Sequence, residues 1–282
     1  MTSNYSGPMP FDCDYSYNST LEILKYLGTI SYLVPGCVLH LFILRSILVT
    51  RRDYFKNSSF FTIFGLDSVA SIILIVWDVC FGRLILYVSP LCPIVGPYFW
   101  MPSMIPKIYY YVLIHARFAK SVAQIIMVLN RMTCVLMPTS YTGIWARLTP
   151  ISIVLIFLLP LGGTWNLLLS PRYYFVPSYG GFAVIYVRAV TWATASLFQS
   201  IYILTALGFT VICTSITLYK LILLRDRVKS AERSLCFTNI FISFTFLLVA
   251  ATQLYYLVCI PCRTSDYLFA AQFLAFDTFT VG

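Results

Sequence analysis

Charged side chains are scarce in this sequence. Only 10% of its 282 residues are Asp, Glu, Lys or Arg, whereas 60% are hydrophobic and the mean hydropathy is +0.84. An average soluble domain carries about 25% charged residues, so this chain lacks the charge to cover a surface that faces water. The composition excludes a soluble globular protein and predicts an integral membrane protein.

Side chains for acid–base and metal chemistry are also few. The chain has 2 histidines, His40 and His115, and 10 acidic residues. It contains no Gly-rich phosphate loop, no His-Glu-x-x-His and no convergent Ser/His/Asp set. General acid–base catalysis therefore has little to use. We expect no enzymatic activity, no cofactor and no metal site.

A continuous basic face is missing as well. The net charge of +9 is spread over short groups between apolar runs. Such groups set the orientation of membrane proteins, whereas a phosphate backbone requires an uninterrupted basic surface. We expect a lipid bilayer as a partner and no nucleic acid.

Long apolar runs are what the chain does have. Seven segments, judged against the roughly 20 residues that cross a bilayer, lie near 27–49, 60–82, 108–136, 149–169, 196–224, 234–260 and 267–282. They predict an all-α integral membrane protein, a seven-transmembrane-helix bundle over residues 27–282. The seventh segment is expected to be an incomplete helix, since it reaches only about 24 Å of a roughly 30 Å hydrocarbon core.

The polar segment 1–26 is predicted to be extracellular and to carry no cleavable signal peptide. Its sequons at Asn4 and Asn18 are candidate glycosylation sites. A third sequon, at Asn57, falls in a predicted cytoplasmic loop, so the pattern alone has low specificity. With the N-terminus outside, the inner loops hold most of the Lys and Arg residues, and Arg83 is assigned to an outer segment.

Aromatic and turn-forming residues mark the second outer loop. Residues 173–187 predict two short strands around a turn at 177–181. We interpret them as a hairpin lid over a pocket; the alternative is an irregular loop at the membrane interface. In the preceding segment, Pro160 predicts a kink.

The outer side is expected to hold four of the nine cysteines, which allow three complete pairings. These candidate disulfide residues are Cys13, Cys92, Cys259 and Cys262. The Cys-x-x-Cys spacing at 259–262 is not interpreted as a zinc site, because no histidine lies near it in this topology.

A polar stripe runs along the third predicted helix. At roughly 100° per residue, Arg117, Lys120, Gln124 and Arg131 fall within about 40° of one line, and His115 lies off it. Because ionisable side chains are expensive in hydrocarbon, the stripe should face the bundle interior.

Three carboxylates in the second and seventh segments are placed to balance this stripe. We expect Lys120 to meet Asp277 or Asp67, and Arg117 to meet Asp78. Two alternatives stay open: the charges only hold the bundle together, or they bind ligand or switch. The pocket candidates, which suggest an acidic or carbonyl-bearing small molecule, are His115, Arg117, Lys120, Gln253 and Tyr255.

Three motifs carry a family resemblance. They are Leu-Asn-Arg-Met-Thr-Cys-Val-Leu-Met-Pro at 129–138, Asp-Ser-Val-Ala-Ser at 67–71 and Arg-Leu-Ile-Leu-Tyr at 83–87. With seven segments and an outside N-terminus, the chain resembles the nematode serpentine receptor class gamma family of chemoreceptors over residues 11–282. That family is distantly similar to rhodopsin-like receptors.

The resemblance implies a G-protein-coupled chemosensory receptor in the plasma membrane of sensory neurons or their cilia, able to form homo- or hetero-oligomers. Arg131 would take the place of the arginine of the Asp-Arg-Tyr motif, with Asn130 in place of its acidic residue. The residues expected to face the heterotrimeric G protein are Asn130, Arg131, Arg147, Arg225, Arg227 and Lys229. Rival hypotheses are a transporter or channel, and a truncated receptor variant that does not signal.

Overall fold

The computed structural model describes Cys13 and residues 15–55, 58–100, 104–223, 229–259 and 266–282. Over these ranges the chain is helical apart from one hairpin and short connections. Its elements are α1 (Ser19–Arg45), α2 (Arg52–Phe55), α3 (Ser59–Trp77), α4 (Leu84–Tyr87), α5 (Cys92–Trp100), α6 (Met104–Leu136), α7 (Tyr141–Leu158), α8 (Leu161–Leu169), β1 (Tyr173–Ser178), β2 (Gly181–Tyr186), α9 (Ala195–Leu223), α10 (Lys229–Val258) and α11 (Asp266–Val281).

Five helical runs among the described residues are long and apolar enough to cross a membrane. They are Ser19–Thr50, Ser59–Tyr87, Met104–Leu136, Tyr141–Leu169 and Ala195–Lys220. A shorter apolar stretch, Ser243–Tyr255, lies within α10, and α11 packs beside that helix. The predicted all-α membrane fold is confirmed, while the sixth and seventh crossings stay a prediction.

The bundle is built around α6. In its most apolar window 72% of residues are buried, against 17–39% in the other four spans. Small side chains at Ala116, Ala119 and Ala123 let neighbouring helices approach it closely. It packs against α3, α7, α8 and α9, so the polar stripe on this helix is enclosed by protein.

Two π-helical turns interrupt the first two spans, at Ser46–Thr50 and Asp78–Arg83. The second joins α3 to α4, so this span continues to Tyr87 rather than ending at residue 82 as predicted. The first span also starts earlier than predicted, at Ser19, because the side chain of Asn18 accepts hydrogen bonds from the amides of Thr20 (3.1 Å) and Leu21 (3.3 Å).

The predicted kink in the fourth span is a break between α7 and α8 at Pro160. The hydroxyl of Thr164 donates to the Pro160 carbonyl at 3.0 Å. The backbone amides of Gly163 (3.0 Å) and Thr164 (3.1 Å) donate to the same carbonyl, so the start of α8 is anchored at the break.

The hairpin expected at 173–187 is present. β1 and β2 are antiparallel, and the two-residue turn between Ser178 and Gly181 has positive φ at both Tyr179 (56°) and Gly180 (78°). Two positive φ angles define the type I′ turn, whose twist matches that of paired strands. The turn is seated on other elements, since the Tyr179 ring lies near those of Tyr17 and Tyr87.

A disulfide and an aromatic cluster hold this hairpin to the bundle. Cys13 is bonded to Cys92, and Cys92 packs with Ile85, Phe175 and Phe182. The Tyr173 hydroxyl donates to the Leu167 carbonyl at 2.8 Å. Burial raises the pKa of this phenol above its ordinary value, so it stays a neutral donor.

Substituting Gly181 with Ala should unseat the hairpin. A Cβ there would overlap the backbone carbonyls of Ile85 and Leu86, whereas one at Gly28 would meet nothing within 4 Å. We expect G181A to destabilise the folded protein by about 1–3 kcal/mol and the control G28A to leave it equally or more stable. Thermal unfolding of the purified variants measures this, and equal stability of both would contradict the close approach.

Candidate functional site

A cavity of about 290 Å³ lies between the hairpin and the helices beneath it. Residues of the α3–α4 run, α6, β2, α9, α10 and α11 line it. Its aromatic wall includes Phe81, Tyr109, Tyr110, Phe273 and Phe276. Ligand sites in proteins are concave and mostly apolar, with volumes of roughly 300–1,000 Å³. The position under the hairpin supports the interpretation of that hairpin as a lid.

Several polar side chains line this cavity, among them the glutamines Gln199, Gln253 and Gln272. Two of these glutamines are deeply buried. Gln199 is 8% exposed and Gln253 is 2% exposed. Nε2 of Gln199 and Oε1 of Gln253 have no hydrogen-bond partner among the described residues. An unsatisfied buried polar atom costs about 1–3 kcal/mol, and a ligand group in the cavity would recover this cost once the amide turns towards it. Gln199 was not among the candidates from the sequence.

An ion-pair cluster centred on Arg83, which is 1% exposed, borders the cavity through Asp78. Its Nε donates to Oδ2 of Asp78 at 2.6 Å, and its Nη2 donates to Oδ1 of Asp277. One guanidinium thus joins the end of the second span to α11. The predicted pair of Arg117 with Asp78 was wrong, because Arg83 holds that carboxylate.

Sequence analysis missed Arg83 because it ended the second span at residue 82 and assigned this arginine to an outer segment, whereas the span continues to Tyr87 and Arg83 is buried. Arg83 is the fifth residue after Asp78, and at 100° per residue in a regular helix the two side chains would lie about 140° apart. The π-helical turn over Asp78–Arg83 closes i to i+5 hydrogen bonds instead and brings both side chains to one face. The available signal was an Asp and an Arg five residues apart at the end of an apolar run.

Lys120 lies deeper in the bundle and is fully buried. Its ammonium donates to Oδ2 of Asp67 at 3.1 Å and to the hydroxyl of Ser71 at 2.7 Å. Of the two partners expected for Lys120, the structure shows Asp67, while Asp277 is bound to Arg83. A buried lysine needs such a partner to stay charged.

Three cations near the bundle axis also face a row of phenylalanines on α11. Arg83 lies 4.7 Å from the ring centre of Phe273, Arg117 lies 4.6 Å from that of Phe276, and Lys120 lies 5.5 Å from that of Phe279. Rings three residues apart share one face of a helix. We call these three rings the α11 aromatic row; each attracts its cation through the ring quadrupole.

The remaining pocket candidates divide between the cavity and its surroundings. Arg117 and Gln253 line it, but His115 and Tyr255 do not. Tyr255 is 53% exposed because it lies two residues, about 200°, from Gln253 on α10. His115 is half-buried with Nδ1 3.5 Å from the hydroxyl of Tyr111. Gln124 is buried below the cavity, and its Oε1 has no partner among the described residues.

At the opposite end of α6, Asn130 belongs to a closed hydrogen-bond triangle. Its Nδ2 donates to the Ser59 hydroxyl at 2.9 Å, and the Tyr141 hydroxyl donates to its Oδ1 at 2.9 Å. The hydroxyls of Ser59 and Tyr141 are 3.0 Å apart. Asn130 is 1% exposed, so its placement on a partner-facing surface was wrong. It fastens α6 to α3 and α7 instead.

Arg131, one residue further, is half-buried with its guanidinium carbon 3.5 Å from the ring centre of Phe60. Arg147 is exposed on α7. Two other expected G-protein-facing residues, Arg225 and Arg227, lie outside the described residues, and Lys229 is the first residue of α10.

The structure describes some of the remaining predicted disulfide and glycosylation sites. Cys13–Cys92 is one of the bonds that the open pairings allowed. Cys259 is also disulfide-bonded, and Cys262 lies outside the described residues, as does the sequon at Asn4. Within the described ranges, no group of three or more His, Cys, Asp or Glu side chains is placed to hold a metal ion.

Comparison with known proteins gives this architecture a family. A profile of Srg family chemoreceptors matches residues 26–282. The chain belongs to this family. It is 68% identical over its full length to the serpentine receptor class gamma-15 of Caenorhabditis elegans, of which it covers 88%. It is 51% identical to class gamma-16 of the same nematode, with 96% of this chain and 83% of the relative covered.

More distant relatives align over almost the whole chain too. Serpentine receptor class gamma-11 of Caenorhabditis elegans is 36% identical, with 99% of this chain and 83% of the relative covered. The resemblance stated from the motifs is therefore confirmed. As a serpentine receptor with several apolar spans, the Srg protein is a multi-pass membrane receptor.

Removing the charge of Arg83 should destabilise the bundle strongly. R83M leaves two carboxylates without their cation in a dry interior, which costs about 3–5 kcal/mol. Neutralising both of them in R83M/D78N/D277N should recover most of that loss.

Thermal unfolding of the purified receptor measures both effects, with R188M as the matched control at an exposed arginine. If R83M unfolds at the wild-type temperature, the ion-pair cluster does not stabilise the fold.

Proposed function

We propose that this Srg protein is a chemosensory receptor that binds a small molecule in the cavity under the hairpin and activates a heterotrimeric G protein at the opposite end. Family membership supports the receptor class. The observation that carries the proposal is the cavity itself, where elements from six parts of the chain converge beneath a lid. Catalysis is not part of this function.

The orientation follows from the chemistry of the hairpin end. The disulfide between Cys13 and Cys92 packs on the hairpin, and disulfides persist in oxidising compartments. We therefore place the N-terminus and the cavity mouth outside the cell. The receptor family suggests the plasma membrane of a sensory neuron, including its cilium.

Asn18 is a less suitable glycosylation site than its sequon suggests, because its side chain caps α1. Its Oδ1 accepts from two backbone amides and is thereby held against the helix start. A sugar on Nδ2 would have to share this position with the cap.

Signalling requires that a ligand bind one conformation of the bundle more tightly than another. The cavity is lined by α6, α9 and α10, and the same three helices would frame an inner groove for a G-protein helix. On α6 the polar stripe runs from Arg117 in the cavity, through Lys120, to Arg131 near the inner end. Arg131, Arg147 and the basic segment 220–233 are the proposed contacts of the G protein.

Replacing Arg131 with Ala should abolish nucleotide exchange on the G protein while leaving surface expression intact. The guanidinium is half-buried and lies over the ring of Phe60, so the surface amount of R131A is measured together with its exchange. The control R188A removes an exposed arginine at the hairpin end. Exchange is measured in membranes with the strongest activator from a small-molecule panel. Wild-type exchange in R131A would rule out the assigned role.

Filling the cavity should block activation. Val184 on β2 lines the cavity and packs on Tyr109 and Leu113, so a Trp there would project into the cavity. We expect V184W to reach the cell surface and to lose its response to every activator in that panel. I185W, at an exposed position on the opposite face of the same strand, should respond as the wild type does. An unchanged response in V184W would show that ligands bind elsewhere.

A further inference from the structure

We infer that Gln199 of α9 and Gln253 of α10 form a subsite for an uncharged ligand group that both donates and accepts hydrogen bonds, a hydroxyl or a primary carboxamide. This inference rests on the proposed function of the cavity. It names the chemical class of ligand that the cavity takes.

The two glutamines lie where the packed interface between α9 and α10 meets the cavity. Both line the cavity, and α9 and α10 are in direct contact. One helical turn further from the hairpin, Ile203 and Val249 belong to a buried cluster that α9 and α10 share with α11. Residues four apart share a helix face, so Gln199 above Ile203 and Gln253 above Val249 face the same junction.

Their free atoms have opposite hydrogen-bonding character. Nε2 of Gln199 is a donor without an acceptor, and Oε1 of Gln253 is an acceptor without a donor, among the described residues. A carboxylate can only accept and an ammonium can only donate. Either would leave one of the two buried atoms unsatisfied. A hydroxyl or a carboxamide carries both an acceptor and a donor, so its chemistry matches both atoms.

The charged side chains in and beside the cavity also favour an uncharged ligand. Arg83 binds two carboxylates, Asp78 and Asp277, and Lys120 binds Asp67. Arg117 supplies the third positive charge, stacked on Phe276. Three cations therefore face three carboxylates, and an acidic ligand would add an uncompensated negative charge. The acid suggested by the basic stripe alone is disfavoured once these partners are included.

The body of the ligand should be apolar and able to stack. Phe81, Tyr109, Phe273 and Phe276 line the same cavity as the two carboxamides. Aromatic rings prefer offset or edge-to-face contacts with other rings. A molecule with an aromatic or alkyl body and one terminal hydroxyl or carboxamide fits these surroundings.

Four probes that share one hydrocarbon frame test the subsite. They are hydrocinnamyl alcohol, hydrocinnamamide, hydrocinnamate and propylbenzene. Binding is measured as the concentration-dependent thermal stabilisation of the full-length receptor in lipid nanodiscs. We expect the alcohol and the amide to bind the wild type about tenfold or more tightly than the hydrocarbon and the acid.

The matched variant is Q199M/Q253M, which keeps side-chain length and removes both polar groups. It should bind the alcohol and the amide no better than propylbenzene and should bind propylbenzene as the wild type does. Without probe it should unfold at the wild-type temperature or higher, because it no longer buries unsatisfied atoms. A clear loss of stability would show that the glutamines hold the fold together, and would overturn the inference.

Three further outcomes contradict the subsite: equal affinities in wild type and variant, a preference for hydrocinnamate, or no binding of any probe. The variant V184W separates this failure from that of the cavity. If V184W loses all probe binding while Q199M/Q253M loses none, the cavity stands and the subsite falls. If V184W binds the probes as the wild type does, the cavity is not the ligand site.

Discussion

The cost of burying charge in an apolar bundle constrains this receptor more than any other interaction. Arg83 is 1% exposed and lies between Asp78 and Asp277. None of these groups tolerates the interior without its partners. Their pairing ties the π-helical end of the second span to α11, beside the cavity that Asp78 lines.

The other buried cations are held in a related way. Lys120 binds Asp67 and Ser71, and Arg117 lies over Phe276. Arg117 and Lys120 of α6 both make cation–π contacts with the α11 aromatic row. Cation–π contacts add about 0.5–2 kcal/mol each, which is less than the ion pairs supply. Their value to the receptor is positional, since they fix the register of α11 against α6. Arg117 and Phe276 also line the cavity, so a ligand there would lie against this contact between α6 and α11.

The lid at the opposite wall depends on close packing rather than charge. Gly181 brings β2 against the carbonyls at the end of the second span, and the Cys13–Cys92 bond secures the same cluster. Between this lid and the charged side chains of Asp78 and Arg117, the cavity walls are mostly aromatic and aliphatic. The two carboxamides of Gln199 and Gln253 are exceptions, and their unsatisfied atoms give the cavity its chemical preference.

Much of this protein is determined locally along the chain. Apolar runs set the membrane class, the turn at 177–181 set the hairpin, and helical periodicity on α6 placed Lys120 in the interior, because each pattern depends on neighbouring residues alone. Contacts between helices decide which charges pair and which polar atoms lack a hydrogen bond. Arg83 reaches Asp78 only through a π-helical turn. Within the sequence of α9, Gln199 is a polar residue with no evident role, and its position beside α10 is visible only in the structure. Such contacts depend on the relative rotation and register of distant segments, which no periodicity within one helix specifies.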